Sequence, residues 1–170
     1  MEPDLYSLHH RSEVVVALDA DTLFAMLDDH RRLASHMERP SWMMAGASMR
    51  VETDERGGQA VGSVIRLEGR VLGLSLAVDE AVTVRVPPVR KTWETLGEPR
   101  LLVIGAYRMG FAIAPSGTGS HLEVFIDYRL PRRGPSRVLG LLFGQVYAAW
   151  CTRRMCADAA AMAERTATDA

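Results

Sequence analysis

The sequence predicts an α+β domain in which a curved, seven-stranded antiparallel sheet wraps around one long C-terminal helix, with two short helices after the first strand. Three observations carry that reading. From residue 45 to residue 128 the chain is a run of β-rich segments separated by turn signals. After Gly134-Pro135 the pattern changes to helical spacing that runs from Arg137 to about Arg165. A short β-branched segment followed by helical periodicity precedes the strand-rich half.

Taken in order, SEVVVAL at 12–18 reads as the first strand. Asp19 to Asp21 supply N-cap choices for a helix that places Leu23, Phe24 and Leu27 on one face. A second short helix is expected over His30 to Met37, stopped by Pro40. Six strands follow at 45–54, 60–68, 71–86, 90–96, 101–114 and 119–129. The breaks between them, DERGG at 54–58, PP at 87–88, GEP at 97–99 and PSGTG at 115–119, are turn-formers suited to a hairpin meander. The final helix carries Gly140 and Gly144, each costing about 1 kcal/mol relative to alanine, which points to close approach of the helix to the sheet.

A chain of 170 residues is expected to be one domain, 1–170, with its core over about 12–163, a flexible segment at 1–11 and a tail at 166–170. With 24% charged residues and a net charge of -1, it has no global basic field to attract nucleic acid. Arg129, Arg132, Arg133 and Arg137 read as a solvated loop face. The opening MEPDLYSLHHRSE lacks an apolar stretch, and VLGLLFGQVYAAWC at 138–151 is too short to span a bilayer. The expectation is a soluble cytoplasmic protein with no integral membrane association. Cys151 and Cys156 point in different directions on one helix and are not expected to pair. Neither zinc-ligand spacing nor a nucleophile, phosphate-loop or dinucleotide motif is present, so no metal and no cofactor are expected.

The order of elements resembles the START/Bet v 1-like (SRPBCC) superfamily, which includes polyketide cyclases and lipid-transfer proteins. The resemblance rests on the opening strand with VALDADTLFAMLDDHRRLASHM, on the GSVIRLEG region and on the long last helix. It implies the helix-grip fold and a hydrophobic cavity between sheet and helix. It implies no single chemistry, so function rests on which residues face that cavity.

Alternation along the strands marks the inward set. Leu76 and Val78 share the apolar phase of the fourth strand; Tyr107, Met109 and Phe111 are inward in the sixth; Val124, Ile126 and Tyr128 are inward in the last, together with Leu122. On the long helix, Leu139, Phe143, Val146, Tyr147, Trp150 and Arg154 form one stripe at spacings of three and four. Arg154 either meets a ligand carboxylate or Glu80, or snorkels to solvent. In SHMERPSWMMAG, Trp42, Met43 and Met44 line the pocket or pack in the core, and His36 is a proton carrier or a structural group. Glu80 lies on the apolar phase of its strand. Either it is a cavity acid, or a bulge near Asp79 turns it outward, or it lies at a strand end already in water.

These residues point first to binding or transport of a small hydrophobic molecule, such as a lipid, isoprenoid or polyketide-like compound. One alternative is a cyclase/aromatase-like enzyme in which Glu80, His36, Tyr107 or Tyr147 moves protons. Another is a protein-interaction module that uses an exposed apolar patch.

Overall fold

A computed structural model describes residues 6–33 and 48–168. Their strands are β1 (Leu8–Val16), β2 (Met49–Thr53), β3 (Val64–Val71), β4 (Leu74–Val86), β5 (Arg90–Arg100), β6 (Tyr107–Ser116) and β7 (Gly119–Tyr128). The helices are α1 (Ala20–Asp28), α2 (His30–Leu33) and a long α3 (Pro135–Thr168). The strands form one seven-stranded antiparallel sheet in the order β1-β7-β6-β5-β4-β3-β2. β2 to β7 are the expected meander, and β1 closes it by pairing with β7.

Alternation decides what the sheet buries. Along β7, Leu122, Val124, Ile126 and Tyr128 are buried, while Glu123, Phe125 and Asp127 are half-exposed on the other face. Along β6, Tyr107, Met109 and Phe111 are buried in the same way. Against this face α1 packs Leu23, Phe24 and Leu27. Asp19 starts α1 by accepting hydrogen bonds from the Thr22 backbone N–H at 2.9 Å and the Thr22 hydroxyl at 2.8 Å.

The other end of α1 is tied down by charge. Lys91, fully buried on β5, donates to the Asp28 carbonyl at 2.7 Å and lies 3.0 Å from the Asp28 carboxylate. Arg85 on β4 meets the same carboxylate at 2.7 Å and lies over the Phe24 ring. A carboxylate at a helix C-terminus opposes the helix dipole, and the two cations more than offset this. Burial pushes the Asp28 carboxyl up, but its bonds to Arg85 and Lys91 hold it below the ordinary value.

The structure moves several expected boundaries. β1 begins at Leu8, inside the segment expected to lie outside the core, because residues 8–11 pair with Phe125–Tyr128. GEP at 97–99 is not a turn. Leu96 pairs with Asp79 and Arg100 with Ala77, so residues 97–99 form a bulge in β5, with Gly97 at φ 67. The strand expected over 101–114 starts only at Tyr107, and 101–106 is irregular.

The buried face of α3 also differs from the expected stripe. Gly140, Gly144, Ala148, Cys151, Met155 and Ala159 are buried, one residue on from Leu139, Phe143, Tyr147, Trp150 and Arg154. Phe143 and Val146 are 52% and 54% exposed. The first half of α3 is apolar on nearly every side, so hydrophobicity alone does not select a face; side-chain size does. A Cβ on Gly140 would stand 2.9 Å from the Val103 carbonyl oxygen, and one on Gly144 would stand 3.0 Å from it. The two glycines thus serve close approach to the 101–106 segment rather than to the sheet itself.

The β3–β4 hairpin turns at Leu72-Gly73, both with positive φ. Leu72 is 88% exposed at φ 48. That region costs a non-glycine L-residue roughly 1 kcal/mol, and hairpin turns of this hand favour asparagine at its position. Leu72→Asn is therefore expected to raise the unfolding free energy by about 0.5–1 kcal/mol, read from the urea midpoint. Removing the partner of a buried lysine has the opposite sign: Asp28→Asn should cost about 3 kcal/mol. Because the folded Asp28 carboxyl titrates below its ordinary 3.8, its contribution is complete above that pH and is lost as pH falls through the depressed value. The Asn variant should show a flatter acid limb in stability–pH curves.

Candidate functional site

The concave face of the sheet and α3 enclose a cavity of about 40 Å³. That is room for a few water molecules. Its walls are mostly apolar. Leu67 comes from β3, Val78 from β4, Trp93 from β5, Met109 from β6 and Ile126 from β7. Leu101 and Ile104 come from the irregular segment, and Tyr147, Cys151 and Met155 from α3. A larger guest requires these walls to yield. Methionines are the side chains that re-pack most readily, and residues 101–106 sit outside the sheet ladder.

The polar end of the cavity is a cluster on Glu80. Val78, Glu80 and Val82 are all buried along β4. A register irregularity does lie beside Asp79, but its extra residues belong to β5, so β4 keeps its phase and Glu80 points inward. At 3% exposure Glu80 is as buried as its apolar neighbours. Its Oε1 accepts a hydrogen bond from the Tyr107 hydroxyl. Its Oε2 faces His30 Nε2 at 3.4 Å, a separation beyond a good hydrogen bond. The His30 ring stands edge-on to Trp93 with centroids 5.0 Å apart.

Glu80 Oε2 and His30 Nδ1 are buried and make no hydrogen bond among the described residues. Each such group costs about 1–3 kcal/mol if nothing satisfies it. Burial, the Glu80 charge and its hydrogen bond push the Tyr107 phenol well above its ordinary range, so it remains a proton donor. Burial, then Cys151 and Glu80, push the Tyr147 phenol up as well. The Cys151 thiol is pushed up to about 12 by burial, which leaves no thiolate for nucleophilic work near neutral pH. The arrangement can exchange a proton at Glu80, donate one hydrogen bond from Tyr107, and accept or donate at His30.

The residues singled out in the sequence divide. Val78, Tyr107, Met109, Ile126 and Tyr147 line the cavity, and Glu80 forms its polar end. Phe111, Val124 and Tyr128 are buried in the core but do not line it. Leu76 faces an outer groove at the start of β4, and Trp150 another between α3 and His10 of β1. Phe143 faces outward. Arg154 is exposed and pairs with Asp158 at 3.2 Å, so it does not reach the cavity; the one-residue offset of the helix face carries it away. His36, Trp42, Met43 and Met44 lie outside the described residues.

His30, Leu67, Trp93, Leu101, Ile104, Cys151 and Met155 complete the walls without having been singled out. For the last two a signal existed, since Tyr147, Cys151 and Met155 recur every four residues on the small-residue side of α3. For His30 and Trp93 the sequence carries none. Among the described residues no group of three or more His, Cys, Asp or Glu side chains is placed to hold a metal ion.

A family model described as polyketide cyclase / dehydrase and lipid transport matches residues 8–167. No curated protein sequence matches the chain. Among solved structures, the TTHA0849 protein from Thermus thermophilus is similar at a TM-score of 0.69 and 12% identity, covering 94% of this chain and 99% of that one. The Zhui aromatase/cyclase from Streptomyces sp. R1128 is similar at 0.68 and 17%, covering 93% and 94%. Truncated norcoclaurine synthase from Thalictrum flavum is similar at 0.59 and 18%, covering 89% of each chain. At these identities the likeness is one of fold.

The cluster makes a stability prediction of its own. Tyr107→Phe strands the Glu80 carboxyl and should lower the unfolding free energy by about 2 kcal/mol. Glu80→Met combined with Tyr107→Phe replaces both partners by apolar groups and should cost less than the single change, as read from paired urea titrations.

Proposed function

We propose that this chain, which belongs to the polyketide cyclase / dehydrase and lipid transport family, binds a small apolar molecule bearing a hydroxyl or carbonyl oxygen in the cavity between sheet and α3. The observation that carries the reading is the pair of buried atoms without a hydrogen-bond partner among the described residues, Glu80 Oε2 and His30 Nδ1, at one end of an otherwise apolar chamber. A stable core has little use for such atoms. A guest hydroxyl seated there can donate to Glu80 Oε2, and a guest carbonyl can accept from a His30 N–H, while the apolar body displaces water from the walls. The cavity's present size implies that the guest enters as Met109, Met155 and the 101–106 segment move apart.

A second reading is supported by the convergence of Glu80, His30 and Tyr107 on one chamber. On that reading the Glu80 carboxylate takes a proton from carbon next to a bound carbonyl, and Tyr107 donates a hydrogen bond to the oxygen as charge grows there. This is the proton chemistry of cyclisation and dehydration of carbonyl chains.

One set of measurements addresses both. Freshly purified protein examined by native mass spectrometry and organic extraction should carry, or take up when offered, an apolar phenol or polyketide-like compound. Glu80→Gln should weaken that binding about tenfold, the worth of roughly one hydrogen bond, with little effect on a hydrocarbon of the same shape. Retention of full affinity by Glu80→Gln would place the guest elsewhere. If the protein turns the compound over, the same variant should lose about a hundredfold or more in kcat, whereas a pure carrier shows no turnover in parent or variant.

A further inference from the structure

The cavity leaves a second feature of the molecule unexplained. The first half of α3 buries one face against the 101–106 segment, yet its opposite face is also apolar. Val138, Leu142 and Val146 recur every four residues along it, with Leu141 and Phe143 on its flanks, and each of these side chains is more than half exposed. A contiguous exposed apolar stripe opposite a helix's buried face is the mark of an interaction surface. The Leu72 tip is a separate oddity: the most exposed of the large hydrophobic side chains sits in a backbone region that disfavours it.

The hairpin and the start of α3 share one end of the molecule. Leu74 of the hairpin, Arg132, Arg133 and Ser136 of the approach to α3 line a single outer groove. Charge at this end is one-sided. Residues 129–137 hold four arginines, Arg129, Arg132, Arg133 and Arg137, and no aspartate or glutamate, in a chain whose net charge is -1. Glu98 is the acid beside them, and it pairs with Arg129 at 2.5 Å and Arg132 at 3.1 Å. Arg133 and Arg137 are exposed.

We propose that this end docks on an anionic lipid surface, with Leu72 and the outer leucines of α3 entering the headgroup boundary and Arg132, Arg133 and Arg137 meeting lipid phosphates. The chemistry selects this occupant over others. Apolar side chains on a convex helix and a hairpin tip fit a deformable surface rather than a groove-bearing partner. Pairing with a second copy through the same face would set arginines against arginines with Glu98 already engaged. No helix of the described residues is long and apolar enough to cross a membrane, so the contact is peripheral. Leu101 lines both this outer groove and the internal cavity, so a docked molecule would hold its cavity beside the lipid. The docking does not depend on what the cavity binds, because the residues that make it, unlike Leu101, take no part in the cavity wall.

Sedimentation with vesicles of phosphatidylcholine, with and without phosphatidylglycerol, tests the proposal on the full chain. Binding is expected to the phosphatidylglycerol vesicles and should weaken as salt is raised. Arg132→Glu with Arg133→Glu should reduce it at least about tenfold. Leu72→Asn and Leu142→Gln should each reduce it severalfold. Both positions are exposed, and circular dichroism of the variants should match the parent. Absence of binding to either vesicle, or variants that sediment like the parent, would overturn the proposal. So would a dimer, seen by analytical ultracentrifugation, that Leu142→Gln dissociates while vesicle binding is absent.

Discussion

The structure depends on how closely α3 can approach the body of the domain. A helix of 34 residues, about 51 Å long, meets strands of 13 residues or fewer and an irregular segment that the sheet does not brace. Gly140, Gly144, Ala148, Thr152, Ala159 and Ala163 make the meeting face of small side chains, and all are buried. Thr152 then fixes the contact chemically, with its hydroxyl 2.8 Å from the Ser12 hydroxyl and 3.0 Å from His10 Nδ1, both on β1. Tyr147, Cys151 and Met155 are brought over the concave face of the sheet by the same approach. The large apolar residues of α3 are consequently left on the flanks and the outside.

Two buried acids show how differently a domain can treat the same cost. Asp28 has a guanidinium, an ammonium and good geometry, and it joins α1 to the sheet. Glu80 has one phenol donor and a histidine held just out of range. The first arrangement is self-sufficient and reads as architecture. The second leaves an acceptor and a ring nitrogen without a partner among the described residues, inside an apolar chamber. The contrast is one of satisfaction rather than burial, since both carboxylates are nearly inaccessible to water.

Much of this was legible in the sequence, for identifiable reasons. Strand alternation depends on one repeating choice, so the inward positions of β6 and β7 follow from a single charged marker such as Arg108 or Glu123. The long helix announces itself by length and by Gly134-Pro135. Its rotation does not, because an apolar pattern on every side removes the contrast that periodicity needs; the small residues were the better guide. Glu80 was ambiguous because a bulge beside Asp79 can belong to either strand, and only the pairing of Leu96 and Arg100 assigns it to β5. His30 and Trp93 meet Glu80 across strands and a helix distant in sequence, which no local pattern encodes.

The pairing of β1 with β7 has a consequence for the order of events in a newly made chain. Leu8 finds its partner at Tyr128 and Val16 at Ser120, so the first strand of the sheet has no neighbour within it until the last strand emerges. At ordinary elongation rates that wait is on the order of ten seconds. α3, which packs on β1 and β7, follows later still. Long-range closure of this kind places β1 among slow, high-contact-order events. The β2–β7 meander can assemble from neighbour to neighbour while β1, with its Val14-Val15-Val16 run, stays unpaired, so β1 is the strand whose edge is exposed longest before the sheet is complete.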